Sequence, residues 1–359
     1  MVTQDQPLET QIDVLKTIGL LAVILAHIET PNWVFQLRTF DVPLLVFVSG
    51  ILFGMHQLHR PFELREYLVH RATRIILPVW LFMVMYFLLV AGWSQISGQK
   101  YPYSAQTILL EFVLISHVIG TWIFRVFLIV AMLSPLLLVM HKSLMTIKRF
   151  VLVLLSVFVI YQIIAFALHE YSAMLWYKVF ENSILEAFPY FLLFGFGMIV
   201  LECDKNQRLK ILTAAGVTFI ALAITLMMTG QSIFLQDYKY PPSAFYMLYG
   251  VILSLVFFEL SAFVRLDGHI FSASFKFMGR GSLWIYLWHW WYLYLLAELT
   301  VYFRPDFTIQ SRWFLIYIGI LSLSALTFYG QQRMANSIRS NPLIKNNLIA
   351  RFVLRALSR

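Results

Sequence analysis

Long apolar stretches divided by short polar ones dominate the chain. A helix rises about 1.5 Å per residue, so roughly 17–25 apolar residues are enough to cross a bilayer. Ten stretches near that length stand at 12–28, 42–56, 75–93, 121–140, 150–168, 187–202, 210–229, 244–264, 282–302 and 312–330. The pattern predicts an all-α, polytopic integral membrane protein with about ten transmembrane helices, filling residues 1–331. Residues 332–359 interleave basic residues with Ile, Leu, Phe and Val, which predicts an amphipathic tail on the inner leaflet. The segment 106–119 is apolar but too short to span, and it carries Glu111 and His117. A re-entrant or surface-lying helix fits it better.

Composition agrees. Hydrophobic residues make up 60% and charged ones only 13%. A soluble domain has about 25% charged residues, so a water-soluble protein is excluded. In a soluble protein a net charge of +9 would point to nucleic acid. Here the cations lie between apolar spans and read as orientation signals, so nucleic-acid binding is not expected. With the N-terminus inside, the inner loops and tail hold nineteen Lys and Arg residues, from Arg60 to Arg359. The outer loops hold six: Arg38, Lys100, Lys178, Lys239, Arg304 and Arg312. Lys16 and Arg125 remain, inside spans and not at their ends. The bias places both termini in the cytoplasm. Cys203 is the only cysteine, so neither a disulfide framework nor a thiolate metal cluster is expected. The first span is not a signal peptide, because no basic residue precedes it and it contains Asp13 and Lys16.

Those two residues, with His27, are the chain's strongest chemical signal. An ionisable group in hydrocarbon costs roughly 2.5–3.5 kcal/mol on insertion scales, so such groups face a protein interior or a wet cavity. Lys16 and His27 are eleven positions apart, about three helical turns, so both point one way and stand ~16 Å apart along the axis. A neutral histidine is the commonest general base. Arg71 and Arg74, three apart on one helix face at the mouth of the third span, suit phosphate binding or simple anchoring. Arg125 is a cation near the end of the fourth span and is expensive there unless paired. Pro43, Ser49, Gly50 and Gly54 give the second span small or loosening positions, for which packing is sufficient reason. In 282–296, Ser282 caps a helix start, and His289 is either a structural hydrogen-bonding residue or part of a pocket. The Trp and Tyr residues around it, Tyr286 and Trp290 among them, pack, form an aromatic belt or stack on sugars. No Gly-rich phosphate loop, His-Glu-x-x-His helix or Gly-x-Ser-x-Gly elbow is present.

Asp13, Leu15, Lys16 and His27, then VPLLVFVSGILFG and HRATRIILP, resemble the acyltransferase-3 family of integral-membrane O-acyltransferases. The likeness continues through TWIFRVFLIVAMLSPLLL, PYFLLFGFGMIV and SLWIYLWHWWYL, in order along nearly the whole chain. It matches the family's basic-x10-His motif with Lys16 and His27, and its Arg-x-x-Arg motif with Arg71 and Arg74. The resemblance implies a surface-polysaccharide O-acetyltransferase of the bacterial inner membrane, taking acetyl-CoA and a polysaccharide or lipid-linked oligosaccharide. The expected catalytic residues are His27, as general base, with Lys16 and Asp13. Arg71, Arg74 and Lys16 are the expected donor-binding residues. Arg125, Ser49, Tyr286 and His289 are expected at the substrate or pocket, and no metal is expected. The rival from another class is a multispan transporter or flippase, whose intramembrane charges would line a path. The chain shows no internal repeat to support it.

Overall fold

The computed structural model describes residues 8–115, 118–144, 146–264, 269–303, 312–340 and 348–357. His117, Arg265, Arg304, Lys345 and Arg359 lie outside these. Among the described residues every regular element is a helix. The chain is a polytopic membrane protein.

Among the described residues fifteen α-helices run in order: α1 Leu8–Leu25, α2 Asn32–Leu37, α3 Asp41–Gln57, α4 Leu64–Ser97 and α5 Ala105–Phe112. Then come α6 Trp122–Leu144, α7 Ile147–Leu168, α8 Leu175–Phe180, α9 Phe188–Ile199 and α10 Lys205–Met228. The last five are α11 Ala244–Ser261, α12 His269–Arg280, α13 Ser282–Phe303, α14 Trp313–Ser340 and α15 Leu348–Leu357. Each of the ten expected spans has a helix at its place, and among the described residues 8 helices are long and apolar enough to cross a membrane. The other two are the helices with the chemistry: α1 carries Glu9, Asp13 and Lys16, and α13 is rich in Trp and Tyr and carries His289. The short α5 sits where a non-spanning helix is expected, with the Ser104 side chain accepting from Thr107 N–H as its N-cap.

Burial sorts the helices into a centre and a rim. In the span Asn32–Gln57, 72% of the apolar window is buried, and in Leu175–Ile199 78%, against 11% in Ile147–Tyr171 and 6% in Lys205–Met228. So α3 and α9 form the middle, while α7 and α10 face lipid. What brings α3 and α9 together is the absence of side chains. A Cβ on Gly50 would sit 2.2 Å from the Phe194 carbonyl oxygen, one on Gly54 2.1 Å from that of Met198, and one on Gly197 2.2 Å from that of Phe47. Small residues let backbones approach where apolar burial gives no advantage over lipid.

Three sequence expectations need adjusting in detail. The first helix ends at Leu25 and not at 28: the His27 N–H bonds to the Ile24 carbonyl, three residues back, so His27 stands on a tightened closing turn before Pro31. The third span is one helix of 34 residues, with Pro78 inside, that carries Arg71 and Arg74 on its lower turns. Ser282 is the first residue of α13, whose Ile285 N–H bonds to the Gly281 carbonyl. At the other terminus α14 continues to Ser340, and α15 docks its end on the bundle. There Trp284 Nε1 donates to the Ala356 carbonyl and Gln331 Nε2 to that of Leu357, each at 2.8 Å.

Candidate active site

Between α1, α3, α4, α6 and α13 lies a cavity of about 740 Å³. The direction of each helix sets its two ends. Lys16, His56, His70, Arg71, Arg74 and Arg280 line one end, Ser49 and Val48 the middle, and Phe124 and Tyr286 the other. At the cationic end Asp13 is the balancing carboxylate: Lys16 Nζ lies 3.8 Å from one of its oxygens and Arg280 Nε 3.8 Å from the other. Gly279 makes this possible, since a Cβ there would lie 2.6 Å from the Asp13 carbonyl oxygen. Thr17 pins the same turn, its hydroxyl donating to the carbonyls of Asp13 and Phe275. The Arg71 guanidinium sits over the Tyr67 ring at 5.4 Å. Four Lys and Arg side chains against one carboxylate leave an excess of positive charge, the field an anionic ligand needs.

Tyr286 closes the other end, and His27 lies on its far side. Their ring centroids are 6.1 Å apart, and the His27 ring is 5.1 Å from His289 and 4.5 Å from Trp290. His27 does not line the large cavity. It opens instead on a second, shallower hollow with Ala26, Ile28, Glu29, Thr30 and Phe35. Gly120 allows the tight fit: its φ is 59°, and a Cβ would lie 2.4 Å from the Trp290 ring. Its carbonyl accepts from the Tyr286 hydroxyl at 3.1 Å. His289 Nδ1 bonds to the Tyr286 carbonyl, and His289 Nε2 stands 3.2 Å from His27 Nδ1.

The structure thus brings the sequence-predicted residues into two neighbouring groups. Lys16, Arg71, Arg74, Ser49 and Tyr286 share the large cavity, with Asp13 beside Lys16. His27, His289 and Tyr286 form the second group. Arg125 belongs to neither. Its guanidinium is buried, 2.9 Å from Glu186, and it donates to the Leu114 carbonyl at 3.1 Å. It therefore ties the loop after α5 to the start of α9.

Among the contacts that sequence reasoning missed is a buried ionic cluster. Arg38, Asp41 and Lys239 are all buried, with Arg38 Nη1 2.9 Å and Lys239 Nζ 3.5 Å from the Asp41 carboxylate. Burial draws the loop residue Lys239 below the usual lysine range, against the pull of Asp41. Arg38 and Asp41, three apart, were a detectable pair. Lys239 arrives from 198 positions further along and left no local signal.

A family model described as an acyltransferase domain matches residues 9–329, from the first turn of α1 through most of α14. The chain belongs to the acyltransferase-3 family. No match is found among curated proteins or among solved structures. Both groups of site residues in this membrane acyltransferase fall inside the matched region except Ala356, which α15 adds to the wall of the large cavity. Among the described residues no cluster of His, Cys, Asp and Glu is placed to hold a metal ion.

Proposed function

We propose that this acyltransferase moves an acetyl group from cytoplasmic acetyl-CoA to a sugar hydroxyl of a surface polysaccharide or its lipid-linked precursor. The setting is the bacterial inner membrane, with both termini and the Arg71–Arg74 end in the cytoplasm. The observation that carries this reading is the adjacency of the two groups: the large cavity is cationic at one end and closed at the other by Tyr286, whose ring meets that of His27 on its far side.

Arg71, Arg74 and Lys16 hold the phosphates of the donor, the two guanidinium groups through paired N–H donors. The length of α1 from Lys16 to His27, ~16 Å, suits the thin pantetheine arm, which lies along Ser49 and Val48 with its thioester near Tyr286. The acceptor enters the hollow on the His27 side. His27 takes the proton of its hydroxyl as the oxygen attacks the thioester carbonyl. The new C–O bond forms, the C–S bond breaks, and the proton passes from His27 to the departing thiolate. No covalent enzyme intermediate is needed. Cys203, buried just past the end of α9, is not among the residues that line the cavity. Base catalysis of this kind contributes roughly 10²–10⁴-fold.

Proteoliposomes test the reading. Radiolabelled acetyl-CoA is supplied on one side and a panel of short hexose and hexosamine oligosaccharides on the other, in both orientations. Transfer is expected only with acetyl-CoA on the Arg71–Arg74 side and sugar opposite. Absence of transfer from acetyl-CoA in every arrangement would remove the acetyltransferase reading. Transfer with both substrates on the Arg71–Arg74 side would remove only the crossing of the membrane.

A further inference from the structure

We infer that His289 is the positioning residue of this site: it fixes the tautomer and the direction of the His27 ring, so that Nε2 is the basic atom. The inference rests on His27 acting as the base. It follows from which atoms can donate. A carbonyl oxygen only accepts, so His289 Nδ1, bonded to the Tyr286 carbonyl, carries its ring's hydrogen. The other nitrogen of a neutral His289, Nε2, then has only a lone pair. It lies 3.2 Å from His27 Nδ1, so that atom in turn carries the hydrogen and donates. A neutral imidazole has one hydrogen, which leaves the lone pair of His27 on Nε2. The Val23 carbonyl, one turn back, is a further acceptor beside the His27 ring.

The surroundings give His289 no freedom to reverse this order. Its side chain is fully buried, with the Tyr286 ring 4.7 Å and the Trp290 ring 5.2 Å away. The anchoring carbonyl belongs to its own helix, three residues back, so the bond moves with α13 and survives small shifts between helices. His27 needs such a partner more than a mid-helix residue would. It stands on the closing turn of α1, past the last residue of the regular helix. A base held in one tautomer by an orienting hydrogen bond is worth far more than a freely turning one. When His27 becomes doubly protonated during transfer, its Nδ1–H still points at the His289 lone pair, and the bond gains from the added charge.

Two amides separate positioning from packing. The side-chain oxygen of Gln reaches the place of His Nε2, whereas that of Asn reaches only the place of Nδ1. His289→Gln should therefore keep an acceptor for His27 Nδ1, and His289→Asn should lose it. Turnover on the best acceptor of the oligosaccharide panel is expected to stay within about tenfold of wild type for Gln and to fall about 10–100-fold further for Asn. KM for acetyl-CoA and for the sugar should hold within about twofold in both. Combined with His27→Ala, the Asn change should cost nothing more, because a residue acting through His27 has nothing left to position. Asn turning over as fast as Gln, or lowering kcat by the same factor with and without His27, would overturn the inference. If His27→Ala alone kept wild-type turnover, the base assignment would fail instead, and that result is read from a different variant.

Discussion

At one end of α1, Lys16 faces a wide cavity beside Arg71, Arg74 and Arg280, with Asp13 as the balancing carboxylate. At the other end, three turns on, His27 bonds to a second imidazole among aromatic rings. The first end gathers like charges, and they survive in the membrane because the cavity gives them room and Arg280 is 71% exposed. The second end holds imidazole and aromatic rings packed closely on one another. A site that must attract a polyanion needs surplus charge with access to water. A site that must move one proton needs fixed geometry and little water. One helix supplies both because its two ends are packed against different neighbours: α12 and Gly279 below, α13 with Tyr286 and His289 above. Arg125 marks the third option for a membrane cation. Buried against Glu186 and a backbone carbonyl, it has no charge to spare for a ligand.

The contrast can be broken most sharply at His27. Replacement by Ala is expected to lower turnover about 10²–10⁴-fold while the protein still inserts and accumulates, and Gln should do no better, since an amide cannot take the proton. A variant with near-normal kcat would end the division between a binding end and a reacting end.

Arg125→Ala should act on the fold rather than on the donor. Removing one partner of a buried pair costs about 3–5 kcal/mol, because Glu186 is left charged and alone. Thermal unfolding in detergent should therefore shift markedly. Any protein that survives should bind acetyl-CoA as wild type does. A well-folded Arg125→Ala with weakened donor binding would move that residue into the site.

The smallest effect belongs to the cationic mouth. Arg71→Ala should weaken acetyl-CoA binding by about 1.5–3 kcal/mol in calorimetry, roughly 10–100-fold, with Lys restoring part of it by charge without the planar fork. The more exposed Arg280 should cost no more than about 1 kcal/mol. Normal binding by Arg71→Ala would make the pair an anchor, like the other basic residues of the loops.

Some of this was legible in one dimension. The spans follow from the spacing of apolar residues alone, because a helix in hydrocarbon must satisfy its own backbone and be apolar along its length. The shared face of Lys16 and His27, and of Arg71 and Arg74, follows from 3.6 residues per turn. Periodicity tells which way a side chain points but not what it will meet. His289 stands 262 positions from His27, and Lys239 198 from Asp41, so both contacts depend on how α13 and the loop before α11 pack against the first helices. The same is true of Arg125, expensive on sequence grounds for want of a visible partner, and matched in space by Glu186 at the entry to α9. Where α1 ends, at Leu25, the difference is one of packing too: the tightened turn that follows sets the His27 ring against the Tyr286 and Trp290 rings. Apolar spacing and helical periodicity were enough to read an all-helical membrane protein with ionisable residues on one face of its first helix. Which of those residues share a cavity, and which meet a second imidazole, depends on side chains that come together across helices and not along them.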